Sequence, residues 1–151
     1  MKPNPVPAGL TTLTAQLDVD GAAKAIDFYV KAFGAVEVMR APDPSGQKIW
    51  HAELKIGNAA FFVNDVFREM GGEPTRSGYW LYFDDCDAAF ARAIAAGAEQ
   101  TMPMSDMFWG DRIGQVRDPF GIKWTIATHV KDMTQDEMMK AQAAFIASMK
   151  R

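Results

Sequence analysis

Apolar and polar residues alternate along most of this chain, and where the alternation stops a helical spacing takes over. From Thr11 to Asp18, Leu13, Ala15 and Leu17 fall on one side of an extended backbone and Thr12, Thr14 and Gln16 on the other, which predicts a strand. Asp20 then stands where a helix N-cap is wanted, its carboxylate able to accept from the free N–H groups of a first turn. Behind it Ala22, Ala25, Ile26, Tyr29, Val30 and Phe33 recur at helical spacing, and Gly34 supplies a stop. Three short strands are predicted next: 35–40, 48–56 after a Pro-Asp-Pro-Ser-Gly turn, and 59–64 after Gly57-Asn58. Residues 67–77 carry Gly-Gly, Pro and charges and predict a linker.

The same order then returns. A strand over 79–84 leads to Asp85 or Asp87 as cap of a helix with Ala89, Phe90, Ala93 and Ile94 inward, ended by Gly97. Strands at about 99–102, 108–117 and 122–128 follow, the last two joined by Asp118-Pro119-Phe120-Gly121, in which Pro fixes φ and Gly tolerates a tight reversal. The interval from Gly34 to Gly57 matches that from Gly97 to Gly121 within one residue. A duplicated unit of this kind outranks any single motif. The expected fold is therefore α+β: two tandem βαβββ modules, about 10–66 and 78–129, forming a curled mixed sheet around a cavity. A capping-box pattern at Thr134–Glu137 opens a last helix to about residue 150. Its stripe of Met138, Ala141, Phe145 and Met149, widened by Ile146, must dock on the body or on a partner subunit.

Composition narrows the field. With 48% hydrophobic and 23% charged residues the chain can bury a substantial core. A net charge of −3 without a Lys/Arg run argues against nucleic acid and anionic membrane as partners. A lone cysteine, Cys86, excludes an internal disulfide and a cysteine-built zinc site, and nothing beside it makes it a nucleophile candidate. No apolar run approaches the roughly 18 residues that span a bilayer. Three prolines in the first ten residues do not resemble a secretory signal, so a cytoplasmic protein is expected.

Period-two phase sorts the strand residues into two faces. Leu13/Ala15/Leu17, Trp50/Ala52/Leu54/Ile56, Ala59/Phe61/Val63, Leu81/Phe83 and Ile122/Trp124/Ile126 form the face that helices should cover, with Trp50 and Trp124 in the core. The opposite face carries Thr14, Gln16, Met39, His51, Glu53, Phe62, Trp80, Tyr82, Thr125, Ala127 and His129. That lining is aromatic with a few hydrogen-bonding groups, as small-molecule pockets usually are. His51 and Glu53, two apart on one strand, form a candidate acid–base pair or else a solvated polar row. In Trp109-Gly110-Asp111-Arg112, Arg112 could bind an anion and Trp109 stack on a planar ligand. Alternatively Asp111 and Arg112 pair with neighbours and Trp109 fills core. Met102, Met104 and Met107 suit gap filling or an adaptable pocket rim.

With DFYVKAFG closing the first helix and DPFGIKW in the last hairpin, the paired modules resemble the vicinal oxygen chelate superfamily of glyoxalase I, extradiol dioxygenases and bleomycin- and fosfomycin-resistance proteins. HAELKIGN, FWGDR and DPFGIKWTIATH, followed by a short helix, are similar to its glyoxalase-like, PhnB-like subgroup over about residues 10–150. In metal-using members the ligands come from the first and last strand of each module, positions that fall here at Thr14, Phe62 (or Phe61), Gly78 and Thr125. None is a normal ligand for a divalent ion. The resemblance thus implies a homodimeric binding protein for a small organic ligand, with drug sequestration as family precedent. It implies no cofactor, and metal only through a rearranged site at His51, Glu53 and His129. The alternative is a lyase- or dioxygenase-type enzyme on a small oxygen-rich substrate, using such a site or His51/Glu53 as acid–base pair.

Overall fold

Each half of the chain folds as strand, helix and three strands in the computed structural model, which describes residues 1–150. Module one comprises β1 (Ala15–Val19), α1 (Ala22–Phe33), β2 (Val36–Pro42), β3 (Ile49–Ile56) and β4 (Ala59–Asp65). A 3₁₀ turn at Arg68–Met70 leads to module two: β5 (Gly78–Tyr82), α2 (Cys86–Ala96), β6 (Glu99–Asp106), β7 (Asp111–Arg117) and β8 (Lys123–His129). Each module forms one curled, unclosed four-stranded sheet, in the orders β1-β4-β3-β2 and β5-β8-β7-β6. The first strand of each runs parallel to the last and the remaining pairs are antiparallel. Leu17, Ala52, Leu54, Phe61 and Val63 are buried in the phase predicted, because alternation lets one face of β1, β3 and β4 meet α1.

Several local expectations are corrected. β1 starts at Ala15, because the Thr11 hydroxyl donates to the Leu13 carbonyl (2.6 Å) and the Thr14 hydroxyl to the Thr11 carbonyl (3.1 Å). These local bonds compete with the ladder, and they leave Leu13, assigned to the covered face, 85% exposed. Asp20 does not cap α1. The buried Asp65 carboxylate does so from the end of β4, accepting from Gly21 N (3.0 Å) and Ala22 N (3.1 Å) through Oδ1 and from Ile49 N (2.7 Å) through Oδ2. Asp20 is drawn to the Arg68 guanidinium instead, at 2.8 and 2.9 Å.

Trp50 is no core residue. The β2–β3 register shifts between Ala41, opposite His51, and Pro42, opposite Ile49, so Trp50 is left over at the bulge. Its ring is 49% exposed and packs against Phe67, with centroids 4.9 Å apart. Val30 and Ile94 lie at the rims of their helical stripes, each more than a third exposed. β6 runs four residues beyond its predicted end, as an edge strand with register shifts near Pro103, where a missing N–H is tolerated. β7 begins at Asp111, since Phe108–Gly110 form a turn with Met107 N donating to Asp111 O (2.7 Å).

The modules are joined by rings. Phe28, Tyr29 and Phe33 of α1 pack with Phe120 and Trp124 of module two at centroid separations of 5.0 to 6.4 Å. Beneath them the buried Asp118 carboxylate of the hairpin turn accepts from four donors: Phe120 N (2.8 Å), Ile122 N (2.9 Å), Trp124 Nε1 (2.9 Å) and the Tyr29 hydroxyl (2.7 Å). Asp85 caps α2 through Ala88 N, as expected. The final helix, α3 (Gln135–Met149), opens with the capping box of Thr134 and Glu137. In its apolar stripe Met138 and Ala141 are half-buried and Phe145 meets Phe108 (5.5 Å), while Ile146 and Met149 are exposed. No helix among the described residues is long and apolar enough to cross a membrane.

Candidate functional site

Register builds the open face of sheet two row by row. Asp111 stands opposite His129, Ile113 opposite Ala127, Gln115 opposite Thr125 and Arg117 opposite Lys123. On the other side of β8, Trp80 is the neighbour of Thr125 and Tyr82 of Ala127. Thr125, Ala127 and Ile113 form a buried floor, with Gln115 Nε2 donating to the Thr125 hydroxyl (3.2 Å). Trp80 and Tyr82 stand up from β5 beside it, 45% and 60% exposed, with ring centroids 6.0 Å apart. Trp109 joins them 6.2 Å from Trp80.

One buried carboxylate organises this ledge. Asp111, 4% exposed, accepts from the Tyr82 hydroxyl (3.0 Å) and Trp109 Nε1 (3.1 Å) through Oδ2, while its Oδ1 lies 2.7 Å from His129 Nδ1. The other imidazole nitrogen meets Asp132 Oδ1 at 2.8 Å. Held between two carboxylates, Asp111 foremost, His129 has its pKa raised. Burial, helped by the bond to Asp111, raises that of Tyr82. The chain can approach this way because Gly110 has a φ of 97° and no side chain, so its carbonyl accepts from Val130 N (2.9 Å) and Lys131 N (3.0 Å) where the strand exits.

Arg112, offered as an anion binder of the cavity, is elsewhere and follows the alternative reading, pairing with its neighbours. It projects toward α2, bidentate to Asp87 at 2.8 and 2.9 Å and 3.2 Å from Asp106, because odd positions of β7 face outward and even ones inward. Thr14 lies in the lead-in turn, bonded to Thr11 rather than set in the sheet.

The open face of sheet one carries Gln16, Phe62, Glu53 and Met39 along one row of partners. His51 packs its ring on Phe62 (4.6 Å) and makes no hydrogen bond to Glu53. A cleft of about 210 Å³ lies at the end of this face, lined by Gln16, Asp18, Trp50, His51, Asn64 and Phe67. There Asp18 accepts from both amides, Gln16 and Asn64. Of the positions the resemblance assigns to metal ligands, Phe62 (or Phe61) and Gly78 offer no side-chain donor, and the Thr125 hydroxyl is already bonded to Gln115. Among the described residues no group of three or more His, Cys, Asp or Glu side chains is placed to hold a metal ion.

The expected residues thus separate into two faces. The seam between the modules holds a cleft of about 380 Å³ lined mainly by covered-side residues, among them Ala15, Leu17, Phe61, Leu81 and Trp124, and also by Trp80 of the ledge. Sequence reasoning offered Asp111 only as one alternative, a residue that pairs with its neighbours, and did not consider Asp132. The available signal was Asp111 and His129 in register across a hairpin, next to a glycine.

Duplicated βαβββ modules, each a curled four-stranded sheet, define a glyoxalase-like protein. The chain belongs to the Glyoxalase/Bleomycin resistance protein/Dioxygenase superfamily, which matches residues 13–126. Among its relatives, the uncharacterized protein Mb0911c of Mycobacterium bovis is 43% identical over 141 residues, 87% of this chain and 92% of that one. The crystal structure of TioX from Micromonospora sp. ML1 superposes with a TM-score of 0.67 at 29% identity, covering 80% of this chain and 99% of TioX. The PhnB protein from Bacillus cereus shares the fold at a TM-score of 0.63 and 17% identity, covering 78% of this chain and 97% of that one.

Proposed function

We propose that this chain is a cytoplasmic, homodimeric binding protein that holds a planar organic ligand on the Trp80–Tyr82–Trp109 ledge without using a divalent metal. The observation that carries the reading is the ledge itself: two neighbouring outward positions of β5 present aromatic rings to solvent at 45% and 60% exposure. Rings left uncovered above a buried floor are what a ligand pocket supplies, a stacking surface with few, fixed polar groups. Asp111 holds the Tyr82 hydroxyl and the Trp109 N–H, so little ordering cost remains for the ligand to meet. A second copy would close the site. Met39 on sheet one, Trp80 and Tyr82 on the ledge, and Phe145, Ile146 and Met149 of α3 are exposed within one chain, and a twofold arrangement would set sheet one of one copy over the ledge of the other.

The test is calorimetric titration with 2-naphthol, a neutral planar probe, together with native mass spectrometry of fresh protein. Trp80→Ala should weaken the probe about tenfold, as the loss of one stacking ring implies, while Glu53→Ala leaves fold and affinity intact. Undiminished affinity in Trp80→Ala, or bound metal present in the wild type and lost in Glu53→Ala, overturns the proposal.

An enzymatic reading draws on the 2.7 Å contact of Asp111 with His129, which could serve acid–base chemistry on a small oxygen-rich substrate. Against it, His129 Nε2 is occupied by Asp132, and the pair first considered, His51 and Glu53, is not hydrogen-bonded.

A further inference from the structure

Three cationic side chains surround a cleft that the ligand ledge does not use. Where the linker passes the β7–β8 hairpin, a cleft of about 650 Å³ is lined by Arg76, Arg117 and Lys123, with Ser77, Gly78 and Phe120 among the remaining wall. Arg117 and Lys123 are direct cross-strand partners. Like charges so placed repel one another and weaken the pairing. No ion pair among the described residues includes Arg76, Arg117 or Lys123. The one carboxylate on the wall, Asp20, is engaged by Arg68 at 2.8 and 2.9 Å. This concentration of positive charge is not inherited from the composition, since the chain has 16 Lys and Arg against 19 Asp and Glu.

The neighbouring residues leave room for an occupant. Gly78 is the partner of Lys123 on β5 and places no side chain beside it. Gly121, at the tip of the hairpin, likewise has open space where a Cβ would stand. Phe120 is half-buried at the wall. Three cationic residues lining one concave site, none held by an ion pair among the described residues, are suited to an oxyanion, which accepts several charge-assisted hydrogen bonds at once.

We propose that this cleft binds the phosphate or carboxylate group of a small anionic metabolite through Arg76, Arg117 and Lys123. The counter-charge relieves the repulsion between Arg117 and Lys123, so binding also stabilises the hairpin. The site lies on the same sheet face as the aromatic ledge, one row beyond Gln115 and Thr125, and neither Trp80, Tyr82 nor Trp109 lines it.

The full chain is titrated calorimetrically with inorganic pyrophosphate and, separately, with citrate, at constant ionic strength. Saturable binding of at least one anion at one site per chain is expected, weakened about tenfold or more in Arg117→Gln/Lys123→Gln, as loss of charged hydrogen bonds implies. Tighter binding of pyrophosphate assigns the site to phosphates, and tighter binding of citrate to carboxylates. Arg76→Gln, in the exposed linker, provides a second variant if the double one fails to fold, and it too should weaken binding. Trp80→Ala should leave anion affinity unchanged, which separates this site from the ledge. Absence of saturable binding by both anions, or undiminished affinity in Arg76→Gln, overturns the proposal.

Discussion

Replacing Tyr29 by Phe removes one oxygen from the place where the two modules are tied. Tyr29 is fully buried, and its hydroxyl donates to Asp118 Oδ2 at 2.7 Å across a sequence separation of 89 residues. The ring contacts with Phe33, Phe61, Phe120 and Trp124 survive the change, so the transfer free energy of the side chain is nearly conserved. Asp118 is not orphaned either, because Trp124 Nε1 and the amides of Phe120 and Ile122 still donate to it. The loss is then that of one charge-assisted hydrogen bond, about 1.5–3 kcal/mol, not the larger cost of a stranded buried carboxylate. For a chain of this size about 2 kcal/mol lowers Tm by about 4–8 °C. Urea unfolding of wild type and Tyr29→Phe followed by circular dichroism measures it.

The same bond carries a pH signature. Burial, then the Asp118 charge and hydrogen bond, pushes the Tyr29 pKa well above its ordinary value. A group whose folded pKa is raised contributes stability that is complete below its unfolded pKa, near 10 for tyrosine, and lost as pH rises beyond it. Wild type should therefore lose stability above about pH 10 more steeply than Tyr29→Phe does. A destabilisation below about 0.5 kcal/mol, where ordinary surface changes fall, with identical alkaline profiles, would refute the role given to this contact.

Two further outcomes are expected. His129 has a raised folded pKa owing to Asp111 and then Asp132, so its contribution is complete below about pH 6.5 and fades as pH rises through the folded value. Tm measured from pH 5 to 9 should decline on the alkaline side in wild type and be flatter in His129→Gln, and parallel curves would contradict the contact. Gly110→Ala places a Cβ against the Lys131 carbonyl at a φ of 97°, and the backbone conformation alone costs about 1–3 kcal/mol. Limited proteolysis should then release the C-terminal segment sooner, whereas a wild-type digestion rate and Tm would show that the crossing at Gly110 does not hold it.

Much of the architecture was legible in the residue pattern. Leu17, Leu54 and Trp124 lie in the core where alternation put them, Asp85 and Thr134 cap their helices, and the matched glycines mark a doubled unit. These features depend on neighbours within a few residues, and such interactions are written in local order. The aromatic ledge was legible for the same reason, since Trp80 and Tyr82 share a face by phase alone. Only tertiary structure decided that Asp65 caps a helix 43 residues away, that Asp118 takes the Tyr29 hydroxyl, that Trp50 slips out at a bulge, and that Asp111 gathers Tyr82, Trp109 and His129. A buried carboxylate must be satisfied by whatever donors the folded chain brings within about 3 Å, and which donors those are depends on strand register and module docking, quantities that no short stretch of sequence contains.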